Sequence, residues 1–138
     1  VANGNNISII GNLTRDPELR FTTSGRAVAQ LGVAVNDRYQ VNGEWQERVN
    51  FFDVTAWAQL GENVAASLVK GDRVAIQGRL VFRQWEDQEG AKRSKVEVTA
   101  DSVAPDMRFA TVQIEKNERT SSGGGDATPA EVYNEEPF

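Results

Sequence analysis

Arg73, Arg79, Arg83 and Trp85 share one parity along a single stretch of this chain, and Phe51 and Trp57 share one along another. If both stretches are strands, each set projects from one side, because successive side chains point to opposite faces. Phe51 and Trp57 are then six residues apart, about 20 Å at strand rise. Flat rings interleaved with guanidiniums suit unpaired nucleotides: the bases offer π-faces to the rings and the phosphates offer charge to arginine. Each base–ring stack is worth about 1–3 kcal/mol and accepts any base. A duplex cannot use such rings, since its bases are already stacked, so the expected ligand is a single strand read without strong sequence preference. Tyr39 and Trp45 lie in or beside a hairpin that could close over such a strand, with Arg38 and Arg48 as further cations for phosphate. Two plainer readings compete. Sheet aromatics often just pack or form an oligomer interface, and an arginine beside a ring gives one cation–π contact on a solvated face.

The residue types that are missing exclude much else. The 138 residues include no Cys and no His. That removes disulfides, thiol nucleophiles, cysteine- or imidazole-bound metals and the usual near-neutral general base. No cofactor, no metal and no small-molecule substrate are expected. The carboxylates Glu86 and Glu89 could serve as an acid/base pair, but beside Gly90 they read as solvated turn residues. No run approaches the roughly 20 apolar residues of a membrane span, and residues 1–6 lack the charged and apolar regions of a secretory signal. A soluble cytoplasmic protein is the expectation, associated with the nucleoid if DNA is its ligand.

The elements that would hold these residues are mostly strands by their period-2 alternation. Residues 7–13 form a first strand, continued after Asp16-Pro17 by a short piece over 18–22. Residues 27–36 alternate next, and 41–44 carry an Asn-Gly turn signal. A third strand covers 48–57, with Phe52, Val54 and Ala56 toward a core and Phe51 and Trp57 away from it. Leu60, Val64 and Leu68 at helical spacing predict one helix over 60–70, capped by Gly71. Residues 73–85 form a fourth strand, with Val74, Ile76, Gly78, Leu80 and Phe82 on the core side, and 93–103 a fifth. Alternation over Met107–Glu115 predicts an extra C-terminal strand, while Phe21 and Phe109 read as structural. The expected fold is therefore all-β: a five-stranded OB-fold barrel with one short helix between strands 3 and 4, the extra strand, and a disordered acidic tail.

The formal net charge is −5, from 15 basic and 20 acidic residues, but four of the acids lie between Thr120 and Phe138, where there is no base. The body is thus nearly neutral, which leaves room for a basic stripe. Ser121-Ser122-Gly123-Gly124-Gly125 is flexible-linker chemistry. Two regions are expected: a single-strand-binding OB-fold domain over 3–116, and over 117–138 a linker with an acidic, protein-binding tip. At that tip, Glu135, Glu136, Pro137 and Phe138 combine a ring, a stiff proline and carboxylates that can meet a partner's pocket and cations.

The pattern resembles the bacterial single-stranded DNA-binding proteins, most of all their actinobacterial or actinophage members. Gly11-Asn12-Leu13, Asp16-Pro17-Glu18-Leu19-Arg20-Phe21, Gly25, Val28-Ala29, Phe51-Phe52-Asp53-Val54, Trp57, Lys70-Gly71, Gly78-Arg79-Leu80, Trp85, Asp87 and Gly90 carry it, together with the Glu-Glu-Pro-Phe end. The resemblance implies a homotetramer, single-stranded DNA wrapped on it, and recruitment of replication, repair and recombination proteins by the tip. Stacking residues fall by motif on Phe51, Trp57 and Trp85, with Tyr39 near the position of another. Phe51 stands where many members have Trp. In actinobacterial members the segment matching Met107–Glu115 clamps subunits together. An OB-fold primosome or RNA-binding protein and a purely structural oligomer stay open as alternatives, separable by preference for RNA and by absence of tryptophan quenching.

Overall fold

The computed structural model describes residues 4–118. Six strands and one helix follow each other as β1 (Ile7–Leu13), β2 (Glu18–Phe21), β3 (Ala27–Val41), β4 (Glu44–Trp57), α1 (Ala58–Ser67), β5 (Arg73–Glu86) and β6 (Lys92–Pro105). The sheet runs β1-β5-β6-β4-β3, and β1 also pairs with β3, which closes five strands into a barrel. β2 lies outside the ring on the free edge of β3. This is the OB-fold expected. The helix sits where the sequence placed it, after the strand ending at Trp57.

Alternation explains the core. Leu31, Val33, Val54, Ala56, Val74, Ile76, Val98 and Ala100 come from one parity of β3, β4, β5 and β6 and are buried, joined by Val64 and Leu68 from the helical segment. Each large aliphatic side chain so buried stabilises the fold by roughly 1.5–3 kcal/mol. No polar or charged side chain is buried among the described residues.

The core is shorter than the strands, and this corrects part of the sequence reading. Leu80 and Phe82 share the parity of Val74 and Ile76 yet are exposed, because β5 and β6 run on beyond the barrel as a two-stranded arm. β3 and β4 do the same. Their pairing continues to Val41↔Glu44 across Asn42-Gly43, both at positive φ, a turn whose twist matches its strands. Arm residues meet no core on either side, so their alternation carries no burial, and β3 and β4 read too short in sequence while β5 and β6 read at nearly full length.

Three further expectations change. The helix stops at Ser67: the Val69 amide donates to Asp72 Oδ2 at 2.9 Å and the Lys70 amide to Asp16 Oδ1 at 2.9 Å, which draws the chain off the helical path. Gly71, at φ 94°, therefore belongs to the tight turn after the helix and is not its cap. The strand outside the barrel is β2, whereas Met107–Glu115 forms no ladder within one chain. A strand needs a partner edge, and the segment pairs with none of the barrel's strands. Phe21 and Phe109 are exposed rather than packed.

Candidate nucleic-acid interface

Register places most of the predicted residues on one outward surface. The core parity of β4 is Phe52, Val54 and Ala56, so Phe51 and Trp57 face out. β6 lies parallel beside β4, with Thr55 opposite Thr99. β5 continues the surface, with Arg79 opposite Thr99, Arg83 opposite Lys95 and Trp85 opposite Arg93. An ion pair between Lys95 and Asp53 ties β6 to β4 on this side. Phe51 is 73% exposed and Trp85 43%, while Trp57 is partly covered.

Most outward rings carry a guanidinium. Arg26 stands 4.5 Å from the Trp57 ring centre, Arg38 5.1 Å from Trp45, and Arg83 5.8 Å from Trp85. A ring has two faces, so a cation on one steadies the ring and leaves the other for a base. Trp45, 60% exposed, joins the surface by register, since it pairs with Gln40 at the end of the β3–β4 arm. Among the described residues, Phe51 has no such cation.

The cations on the two arms differ in their electrostatics. Arg79 bonds Asp101 at 2.9 Å, Arg83 approaches Glu97 at 3.3 Å, and Arg93 bonds Asp87 at 3.0 Å. A bulge opposite Gln77/Gly78 leaves Asp101 as the extra residue of β6, free to meet Arg79. Asp87 also accepts the Glu89 and Ala91 amides at 2.9 Å each, closing the turn of the β5–β6 arm. The Ala91 amide first, then the Arg93 guanidinium, hold the Asp87 carboxyl below its usual value. By contrast, among the described residues Arg26 and Arg38 have no carboxylate partner.

Three predicted residues fall elsewhere. Tyr39 and Arg48 form a cation–π pair at 4.6 Å, but by parity on the opposite face of the β3–β4 arm from Phe51 and Trp57. Arg73 lies at the end of the barrel nearest α1, bonded to Asp106 at 2.6 Å and 5.7 Å from the Phe109 ring. That bond, ahead of the Arg108 amide, lowers the Asp106 pKa. The tip residues Glu135, Glu136, Pro137 and Phe138 lie outside the described residues. Sequence reasoning missed Arg26, because a cation in a Ser-Gly turn carries no period that would aim it at Trp57.

A closed five-stranded barrel capped by a helix, with rings and guanidiniums on its outer strands, defines an OB-fold of the kind that binds oligonucleotides or oligosaccharides. The Single-strand binding protein family model matches residues 4–123, and the chain belongs to that family. It is similar to the single-stranded DNA-binding protein of Mycobacterium tuberculosis, 43% identical over 133 residues, covering 94% of this chain and 81% of the relative. The Mycobacterium leprae protein of the same name is 45% identical over 127 residues, 90% and 74% of the two chains. That of Paenarthrobacter aurescens is 41% identical over 121 residues, 86% and 71%. The family is one of binding proteins rather than enzymes.

Proposed function

We propose that this protein binds single-stranded DNA without sequence specificity, stacking bases on Phe51, Trp57 and Trp85 and holding phosphates with Arg38, Arg79 and Arg83. The observation that carries the reading is the single outward surface on which exposed rings alternate with guanidiniums across β4, β6 and β5. Stacking supplies affinity that ignores base identity, and phosphate contacts release counterions, so binding must weaken with salt. Tyr39 and Arg48 serve a strand that passes over the other face of the β3–β4 arm. Arg73 contributes less, since a phosphate would have to replace Asp106.

The relatives' name, single-stranded DNA-binding protein, supports DNA over RNA as the ligand, and the working form proposed is the homotetramer that the sequence resemblance implies. Several barrels held together turn modest contacts into tight retention through effective concentration, while each contact stays weak enough to let the strand slide. The composition of residues 117–138 supports a linker ending in a tip, Glu135–Phe138, that recruits replication, repair and recombination proteins. The same acidic tip competes with DNA for the cationic surface when no strand is bound.

The test is binding to poly(dT), poly(dA), poly(U) and duplex DNA, each at two salt concentrations. Tight binding to both deoxy polymers, weaker with salt and poor for duplex, is expected. A preference for poly(U) would move the assignment to an RNA-binding OB protein, and equal affinity for duplex would overturn it. Deleting residues 120–138 should raise DNA affinity at low salt; no gain removes the competition.

A further inference from the structure

The outer surface of β3 beside Phe51 is built from small residues, Gly32 and Ala34, and two arginines border this side of the strand. Opposite Trp57, Thr55, Asp53 and Phe51 stand Val28, Gln30, Gly32 and Ala34. Gly32 and Ala34 therefore make a shallow floor beside the taller rings. A Cβ on Gly32 would overlap the Arg15 guanidinium and the Thr14 hydroxyl, so the Arg15 head group packs over the strand at that point. The Thr14 amide donates to the Gly32 carbonyl at 2.9 Å, which fixes the turn that delivers Arg15 there. At the other end, Arg26 covers Trp57. Both arginines are exposed, and among the described residues neither has an ion-pair partner.

An exposed guanidinium laid across a glycine, with no carboxylate to satisfy, keeps its hydrogen-bonding fork available to a ligand. Its planar geometry suits two phosphate oxygens. We propose that Arg15, seated over the Gly32–Ala34 floor beside Phe51, and Arg26, on Trp57, form a phosphodiester track that carries the sugar–phosphate backbone from the base stacked on Phe51, past Gln30, to the base stacked on Trp57. The floor must be small there because a backbone with an arginine over it needs the room a Cβ would take. The inference rests on the single-strand reading above and assigns two residues to it that no motif of the sequence marks.

The experiment is the salt dependence of poly(dT) and poly(dA) binding for the full chain and for Arg15→Gln, Arg26→Gln, Gly32→Ser and Arg15→Gln/Gly32→Ser. Arg20→Gln is the control, an exposed cation already bonded to Glu18 at 3.0 Å. Each of Arg15→Gln and Arg26→Gln should flatten the log–log salt slope by about 0.7, equally for both polymers, as expected for one lost phosphate contact on a single strand. The control should keep the parent slope, and the melting midpoints of the two glutamine variants should not move. Gly32→Ser should reproduce the Arg15→Gln loss by pushing the guanidinium away, and should add nothing in the Arg15→Gln background. If the parent binds with a normal salt slope but both arginine variants keep it, or if Gly32→Ser weakens binding as much without Arg15 as with it, the track is overturned while the single-strand reading stands. A parent that shows no salt-dependent binding overturns both.

Discussion

The two arms that extend β3–β4 and β5–β6 beyond the barrel carry the same kinds of residue and use their charge differently. On the β5–β6 arm Arg83 and Arg93 already face Glu97 and Asp87, and Arg79 at its base faces Asp101. On the β3–β4 side Arg38 and Arg26 rest on tryptophan rings and, among the described residues, neither is in an ion pair, although Glu47 stands across the ladder from Arg38. A cation that must leave a carboxylate to reach a phosphate gains little net charge neutralisation. One lying on a ring gives up only a weak contact. The β3–β4 side should therefore supply most of the salt-dependent affinity, and the β5–β6 arm should act mainly through Trp85, whose position its carboxylate-braced turn keeps fixed.

The comparison can be broken most sharply by removing rings. Phe51→Ala and Trp57→Ala should each weaken poly(dT) binding by about 1–3 kcal/mol, roughly 5- to 150-fold in Kd, with the salt slope unchanged. Trp85→Ala should cost a similar amount, because stacking does not depend on the neighbouring acids. Equilibrium titration measures all three.

Cations give the next effect. Arg38→Gln should flatten the salt slope by about 0.7, whereas Arg79→Gln and Arg83→Gln should flatten it by clearly less. Equal losses on the two sides would erase the distinction. The converse sharpens it: Asp101→Asn and Glu97→Gln free Arg79 and Arg83, so both should bind poly(dT) more tightly at low salt and with a steeper slope. Surface ion pairs contribute about 0–1 kcal/mol, so neither change should disturb folding.

The smallest effect is one of pH. Asp87 is held below the usual carboxylate range by the Ala91 amide and Arg93. Its support of the β5–β6 turn is therefore fully present above that range and is lost as pH falls through the lowered value. Acidification should loosen the environment of Trp85, read by its fluorescence, before the barrel melts, and Asp87→Ala should show the loosened signal at neutral pH.

The barrel strands and their inward residues were legible because burial on one side imposes a period of two. Val54 and Ala56, or Val74 and Ile76, show it directly. The β3–β4 arm was not, since its residues meet no core and their alternation no longer reports an inside; the β5–β6 strands read at nearly full length, but the same lack of a core left Phe82 assigned inside when it is exposed. Parity gave Phe51, Trp57, Arg79, Arg83 and Trp85 their common side. It could not show which arginines are already neutralised, because Glu97 meets Arg83 on a diagonal and Asp101 reaches Arg79 only through the bulge opposite Gln77/Gly78, and alternation along one strand fixes neither. Arg15 and Arg26 come from turns, where no period aims a side chain. Met107–Glu115 alternates like a strand, but a ladder depends on a partner edge that the alternation does not reveal.

The central claim is that β4 and β5 touch the same unpaired strand through their rings. Two variants test it most directly, each keeping one interface tryptophan and having the other and Trp45 replaced by phenylalanine. Titrated with poly(dT), Trp57 alone and Trp85 alone should both be strongly quenched and should saturate at the same nucleotide-to-protein ratio. Quenching at neither position, or at one only, would contradict a shared binding surface.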